Sequence, residues 1–152
     1  MSTCDQTNGQ LNVLKTIYTE MPTDLDALEE ILAWFDQINE SFIPRKTWLQ
    51  CQLALVEGFT NAVRHAHKNL SPDVPIQLKA KLNAQSIEIQ IYDRGNPFNL
   101  QDYLDKVHFC DNETGSGRGL PILEKITDYL SYNRTEDDRN CLIIVKHYFP
   151  IN

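Results

Sequence analysis

Hydrophobic positions along the chain switch between a period of two and a period near 3.6, and those switches divide it into strands and helices. Leu11, Val13, Lys15, Ile17 and Thr19 mark an alternating run that predicts a strand ended by Met21–Pro22. Thr23 or Asp24 then suits the N-cap of a helix whose Leu25, Leu28, Ile31, Leu32, Phe35 and Ile38 fall at helical spacing. That helix stops before Pro44. The next run, from Arg45 to Asn69, reads as one long amphipathic helix with the apolar stripe Leu49, Leu53, Val56, Phe59 and Val63.

A proline-containing loop, Ser71 to Pro75, leads back to period two. Ile76, Leu78, Ala80 and Leu82, then Ile87, Ile89 and Ile91, predict an antiparallel hairpin turning at Asn83 to Ser86. Asn99 to Val107 suits a short helix, and His108 to Gly119 a glycine-containing loop. Leu120, Leu123, Ile126, Thr127 and Leu130 predict another helix, with Pro121 tolerated in its first turn. A second hairpin, Tyr129 to Arg134 and Cys141 to Phe149, closes around the acidic turn Glu136 to Arg139. The order predicts an α/β two-layer sandwich, a mostly antiparallel mixed sheet covered on one face by helices.

Bulk composition narrows the function classes. At 152 residues the chain suits a single domain over 11–152 after a flexible, polar 1–10 segment. A net charge of −7 argues against direct nucleic-acid binding and against an anionic membrane surface. No apolar run has the length of a membrane span, and no basic-then-apolar leader opens the sequence, so a cytoplasmic location is expected. Cys4, Cys51, Cys110 and Cys141 lack C-x-x-C spacing, which points to reduced thiols rather than a zinc site.

Three clusters carry candidate chemistry. In E-G-F-T-N-A-V-R-H-A, Glu57 and Asn61 lie about 40° apart around a helix, with Arg64 and Lys68 on the same edge. A carboxylate and an amide one turn apart suit proton polarisation and ligation of a hard cation. Taken alone, a solvated helix edge is the plainer reading. In Y-D-R-G-N-P-F, Asp93 sits where a strand runs out, and Gly95 follows two residues later. That is often only a turn, but in a pocket Asp93 can accept from an exocyclic amine while Gly95 admits a flat ring. In T-G-S-G-R-G-L-P-I-L, Gly115, Gly117 and Gly119 precede a helix, where bare amides and the helix dipole favour phosphate. It lacks the Gly-Lys-Ser/Thr of a P-loop and the βαβ context of a dinucleotide fold.

E-x-x-x-N on a helix, D-x-G after a strand and G-x-G-x-G-L before a helix, in that order, resemble the N, G1 and G2 boxes of the Bergerat-type ATP-binding fold. Within that histidine-kinase-like ATPase fold, the sequence most resembles the small bacterial anti-sigma-factor serine/threonine kinases over roughly residues 11–149. The box Glu57 to Ala66, D-R-G-N-P-F, and G-R-G-L-P-I-L-E-K-I-T-D-Y-L-S-Y carry the likeness.

The resemblance implies roles by position. Glu57 is the expected general base or water-polarising residue, and Asn61 the residue holding Mg²⁺ against the triphosphate of ATP. Asp93 is expected to bind the adenine amino group, Gly95 to line the base pocket, and Gly115, Gly117 and Gly119 to cradle phosphates with Arg118 reaching them. The family phosphorylates a serine or threonine of a small anti-sigma antagonist and sequesters a sigma factor, a form of transcription regulation. A homodimer is expected on the same ground. Phosphoryl transfer asks mainly for positioning and charge neutralisation, which this set can supply.

The second glycine of D-x-G-x-G, frequent elsewhere in the superfamily, is replaced around Asn96–Pro97, a variation the anti-sigma branch tolerates, and the lid from Phe98 to Thr114 is short, as in that branch. One departure bears on adenine: Asn140–Cys141 stands where many relatives carry a Gly-Thr whose hydroxyl helps hold the base. His65 matches the first box and is either an orienting residue or a structural helix histidine. His65 and His67, two apart, point away from each other and make a poor metal pair. His108 and His147 suggest no role. A nucleotide-gated binding module with little or no turnover is the alternative from another class. No helical hairpin with a phosphoacceptor histidine precedes the boxes, which sets a complete histidine kinase aside, and the extra domains of gyrase- or chaperone-type ATPases are not seen.

Overall fold

A computed structural model describes residues 13–109 and 119–152. The expected flexible segment 1–10, Leu11, and the loop residues Gly115, Gly117 and Arg118 lie outside the described residues.

Among the described residues five strands form one sheet in the order β1-β2-β3-β5-β4, and all four pairings are antiparallel. They are β1 (Val13–Met21), β2 (Ile76–Asn83), β3 (Ser86–Asp93), β4 (Tyr129–Arg134) and β5 (Asn140–His147). Both predicted hairpins form. The β2 alternation buries Ile76, Leu78, Ala80 and Leu82, and β3 buries Ile87, Ile89 and Ile91 on the same side, through the register Leu78 to Ile91 and Ala80 to Ile89. Leu142 and Ile144 of β5 continue that apolar face.

Among the described residues four helices accompany the sheet: α1 (Leu28–Phe35), α2 (Arg45–Asn61), α3 (Leu100–Phe109) and α4 (Gly119–Ile126). Single 3₁₀ turns, Leu25–Ala27 and Asp36–Ile38, flank α1. Of the two N-cap candidates, Asp24 performs the task, accepting from the Asp26 amide at 2.9 Å. Thr23 turns elsewhere. Asn99 Oδ1 accepts from the Asp102 amide and so starts α3.

Two expectations for the long helix are corrected. It does not run unbroken to Asn69: the α-helix ends at Asn61, and Ala62–Ala66 is a π turn closed by the His67 amide on the Ala62 carbonyl at 2.8 Å. Its buried face matches the predicted stripe only in part. Phe59 is buried and Val63 packs against the core, but Leu49 and Leu53 are 47% and 42% exposed, and Trp48, Cys51 and Leu55 face inward instead. The helix carries two apolar rows, and packing selects the one that fits. Trp48 stacks on Phe35 of α1 with centroids 4.6 Å apart, and Gly58 lets the helix settle onto the sheet, where an added Cβ would come within 2.5 Å of Ile91 Cδ1.

Cys51 and Cys141 are free and buried, and burial pushes the Cys51 thiol up to about 12, so it stays protonated.

Candidate functional site

The site is assembled where α2 runs into its π turn. Glu57 and Asn61, both half-buried, occupy the last α-helical turns as the sequence pattern requires. A π turn takes in one residue more than an α turn, so side chains beyond it are rotated by roughly 100° from where a continued α-helix would place them. His65 therefore stays exposed and His67 turns inward to 2% exposure. Asn61, Lys68, Gly95, Phe98 and Leu120 border a cavity of about 270 Å³ at this junction, with His65 at its edge. That is close to the roughly 300 Å³ at which small-molecule sites begin.

Helix α4 brings the third cluster onto the first. At Gly119, its first residue, an added Cβ would lie 3.1 Å from Glu57 Oε1 and 3.6 Å from the Glu57 carbonyl oxygen. A Cβ there would be tight against the carboxylate, which would have to give way by a few tenths of an ångström. The free amides of the first helical turn thus start beside Glu57, which puts an anion-favouring helix end and a candidate base in one place.

The second cluster forms a closed polar network. Asp93 is 2% exposed and accepts from three donors: the Gly95 amide at 2.9 Å and Asn140 Nδ2 at 2.8 Å on Oδ1, and the Tyr132 hydroxyl at 2.8 Å on Oδ2. Asn140 Nδ2 also donates to the Gly95 carbonyl at 2.9 Å, and Arg134 Nη1 reaches the Gly95 and Asn140 oxygens at 3.2 and 3.3 Å. Burial and the adjacent Asp93 drive the Tyr132 phenol far above its ordinary pKa, so it acts only as a proton-bearing donor. Phe98 stacks on Tyr132 with centroids 4.5 Å apart and covers the network. Three donors on two oxygens leave one acceptor direction of the carboxylate open, since each oxygen can accept twice.

Residues 21–146 match the histidine kinase-like ATPase domain. The chain belongs to that family. It is also similar to the serine-protein kinase RsbW of Bacillus licheniformis, with 28% identity over 83 residues, 51% of this chain and 52% of the relative. The chain thus spans about half the length of the curated relative it matches.

Membership in the histidine kinase-like ATPase family implies ATP binding. Of the predicted residues, the structure brings together Glu57, Asn61, Gly95 and Gly119. Asp93 lies one layer behind them. Gly95 borders the cavity and also packs on the π turn: an added Cβ would lie 2.2 Å from the Ala66 carbonyl oxygen, so only a bare residue fits there.

Tyr132, Asn140 and His67 were not assigned to the candidate site from sequence. Tyr132 and Asn140 complete the Asp93 network, and Asn140 does so at the place where the family pattern departs from Gly-Thr. The signal for Tyr132 was its inward phase on β4. His67 accepts from the Arg94 amide through Nε2 at 2.8 Å, and its Nδ1 lies 2.8 Å from Thr23 Oγ1, which donates to the Val74 carbonyl at 2.6 Å. No local pattern marked that relay. Among the described residues no group of three or more His, Cys, Asp or Glu is placed to hold a metal ion, and no helix is long and apolar enough to cross a membrane.

Proposed function

We propose that this protein is an ATP-dependent protein serine/threonine kinase that also acts as an anti-sigma regulatory factor. In this reading it works in the cytoplasm, phosphorylates a small anti-sigma antagonist, sequesters a sigma factor and forms a homodimer. The observation that carries the kinase reading is the meeting of Glu57 with the N-terminus of α4 at Gly119, beside the cavity bordered by Asn61 and Gly95. A candidate base, an amide ligand and an anion-favouring helix end are the parts that phosphoryl transfer asks of a protein.

Each residue then has a task. Glu57 draws the proton from the acceptor hydroxyl. Asn61 would hold Mg²⁺ through its amide oxygen. Mg²⁺ contributes neutralisation of phosphate charge. Asp93 offers its remaining acceptor direction to the adenine amino group while Tyr132 and Asn140 hold the carboxylate in place. Gly115, Gly117 and Arg118 serve the phosphates with Gly119. The specificity for serine or threonine and the anti-sigma role rest on the resemblance of the three boxes and on the partial likeness to a serine-protein kinase.

The test is transfer of label from γ-labelled ATP with Mg²⁺ into proteins of the source cytosol, with wild type and Glu57→Gln side by side. Label on Ser or Thr of a small protein, with wild type alone, is the expected result. ATP binding without any transfer would replace the kinase by a nucleotide-gated binding module.

A further inference from the structure

His67 lies outside the three boxes, yet its ring joins three separate segments of the chain. Its Nε2 takes the Arg94 amide proton at 2.8 Å, so that nitrogen must present a lone pair. A neutral imidazole then carries its proton on Nδ1, which faces Thr23 Oγ1 at 2.8 Å. Thr23 has already committed its own proton to the Val74 carbonyl at 2.6 Å, so Oγ1 has lone pairs to offer. Every donor in this chain has one acceptor, and only one tautomer satisfies all of them.

Arg94 stands between Asp93 and Gly95, the two residues assigned to the base. Gly95 is clamped on both sides: its amide bonds Asp93 Oδ1, and its α-carbon packs against the Ala66 carbonyl with no room for a methyl group. A shift of the Arg94 amide therefore carries both neighbours with it. The π turn is what brings the ring there, since it turns His67 inward from the helix edge.

We propose that His67, as its neutral Nδ1–H tautomer, is the positioning residue that holds the Asp93–Gly95 loop for base recognition, and that nucleotide affinity falls when the ring takes up a proton. The proposal rests on the ATP-site reading above. Protonation converts Nε2 into a donor facing the Arg94 amide, also a donor, and leaves that part-buried amide without its acceptor. Two charged groups act on the ring, both from the end of β3: Asp93 favours the imidazolium and Arg94 opposes it. Thr23 and Val74 present neutral oxygens. Burial is the largest influence and sides with Arg94, so the pKa lies below the ordinary histidine value.

The experiment pairs two readouts on the full chain. Affinity for ATP with Mg²⁺ is titrated from pH 8 to pH 5.5 for wild type, His67→Gln, His67→Phe and His65→Gln, and histidine ring ¹⁵N shifts are recorded on wild type. We expect an Nδ1–H tautomer for His67 and a loss of about tenfold in wild-type affinity across that range, the scale of one unpaired, part-buried amide. His67→Gln keeps an acceptor oxygen but does not titrate, so it binds within about threefold of wild type at pH 8 and shows a flatter profile. His67→Phe is weakened at every pH, and His65→Gln keeps the wild-type slope. An Nε2–H tautomer, a His67→Gln profile as steep as wild type, or loss of the slope in His65→Gln would overturn the proposal. A wild type that binds no ATP at any pH overturns the site reading and the affinity claim with it, while the ring shifts still decide the tautomer.

Discussion

Tyr132 donates its hydroxyl proton to Asp93 Oδ2 at 2.8 Å across 39 positions of sequence, tying the edge strand β4 to the end of β3. The bond is buried, and Phe98 stacked on the ring keeps water from replacing it. Tyr132→Phe removes the donor and preserves the shape. A buried bond to a charged group contributes about 1.5–3 kcal/mol, so denaturant unfolding should register a loss of that size. ATP affinity should fall severalfold as the carboxylate loses its hold. Lower stability with unchanged affinity would confine Tyr132 to the core.

Gly95→Ala tests a contact that cannot relax by a side-chain rotation. The new methyl group would meet the Ala66 carbonyl oxygen at 2.2 Å, so one of two backbone segments must move. Overpacking of this kind costs about 1–3 kcal/mol. Because the displaced segment carries Asp93 and Arg94, ATP affinity should drop by about tenfold or more. Wild-type binding by a folded Gly95→Ala protein would show that the strand end and the π turn are not part of one site.

Glu57→Gln separates transfer from binding. The amide keeps the size of the carboxylate beside Gly119 but cannot take a proton. Transfer should fall by about a hundredfold or more, the usual contribution of a positioned base, with ATP affinity within a few-fold of wild type. Gly119→Ala places a methyl group 3.1 Å from Glu57 Oε1 and should lower transfer more than binding. Equal losses in both quantities would instead indicate that the pair shapes the pocket.

Stability should depend on pH through His67. Burial lowers its folded-state pKa below 6.5, whereas the unfolded chain takes up its proton near that value. Between the two, the unfolded state binds more protons, so stability is complete above about pH 6.5 and declines as pH falls toward the folded value. Urea midpoints for wild type and His67→Gln should therefore converge as the pH drops from 8 to 5. A constant difference would mean that the ring does not titrate differently in the two states.

The sequence by itself determined what local pattern can encode. Alternation set the first hairpin and its buried face, because side chains in a strand change sides at every residue and a one-residue slip would expose the whole apolar set. The E-x-x-x-N, D-x-G and G-x-G-x-G-L boxes placed Glu57, Asn61, Asp93 and Gly119 in advance, since each box is a short stretch on one element. Tertiary structure decided the rest. Two apolar rows on α2 satisfied the helical period equally, and the stack of Trp48 on Phe35 together with the bare Gly58 chose between them. Thr23 and Asp24 were equivalent caps until Val74 and His67 came within reach of Thr23. The π turn at Ala62–Ala66, and with it the inward turn of His67, brings the α2 end to the Gly95 loop. Tyr132, Asn140 and Asp93 meet for the same reason: three strand ends converge there, and a buried carboxylate requires donors wherever in the chain they happen to lie.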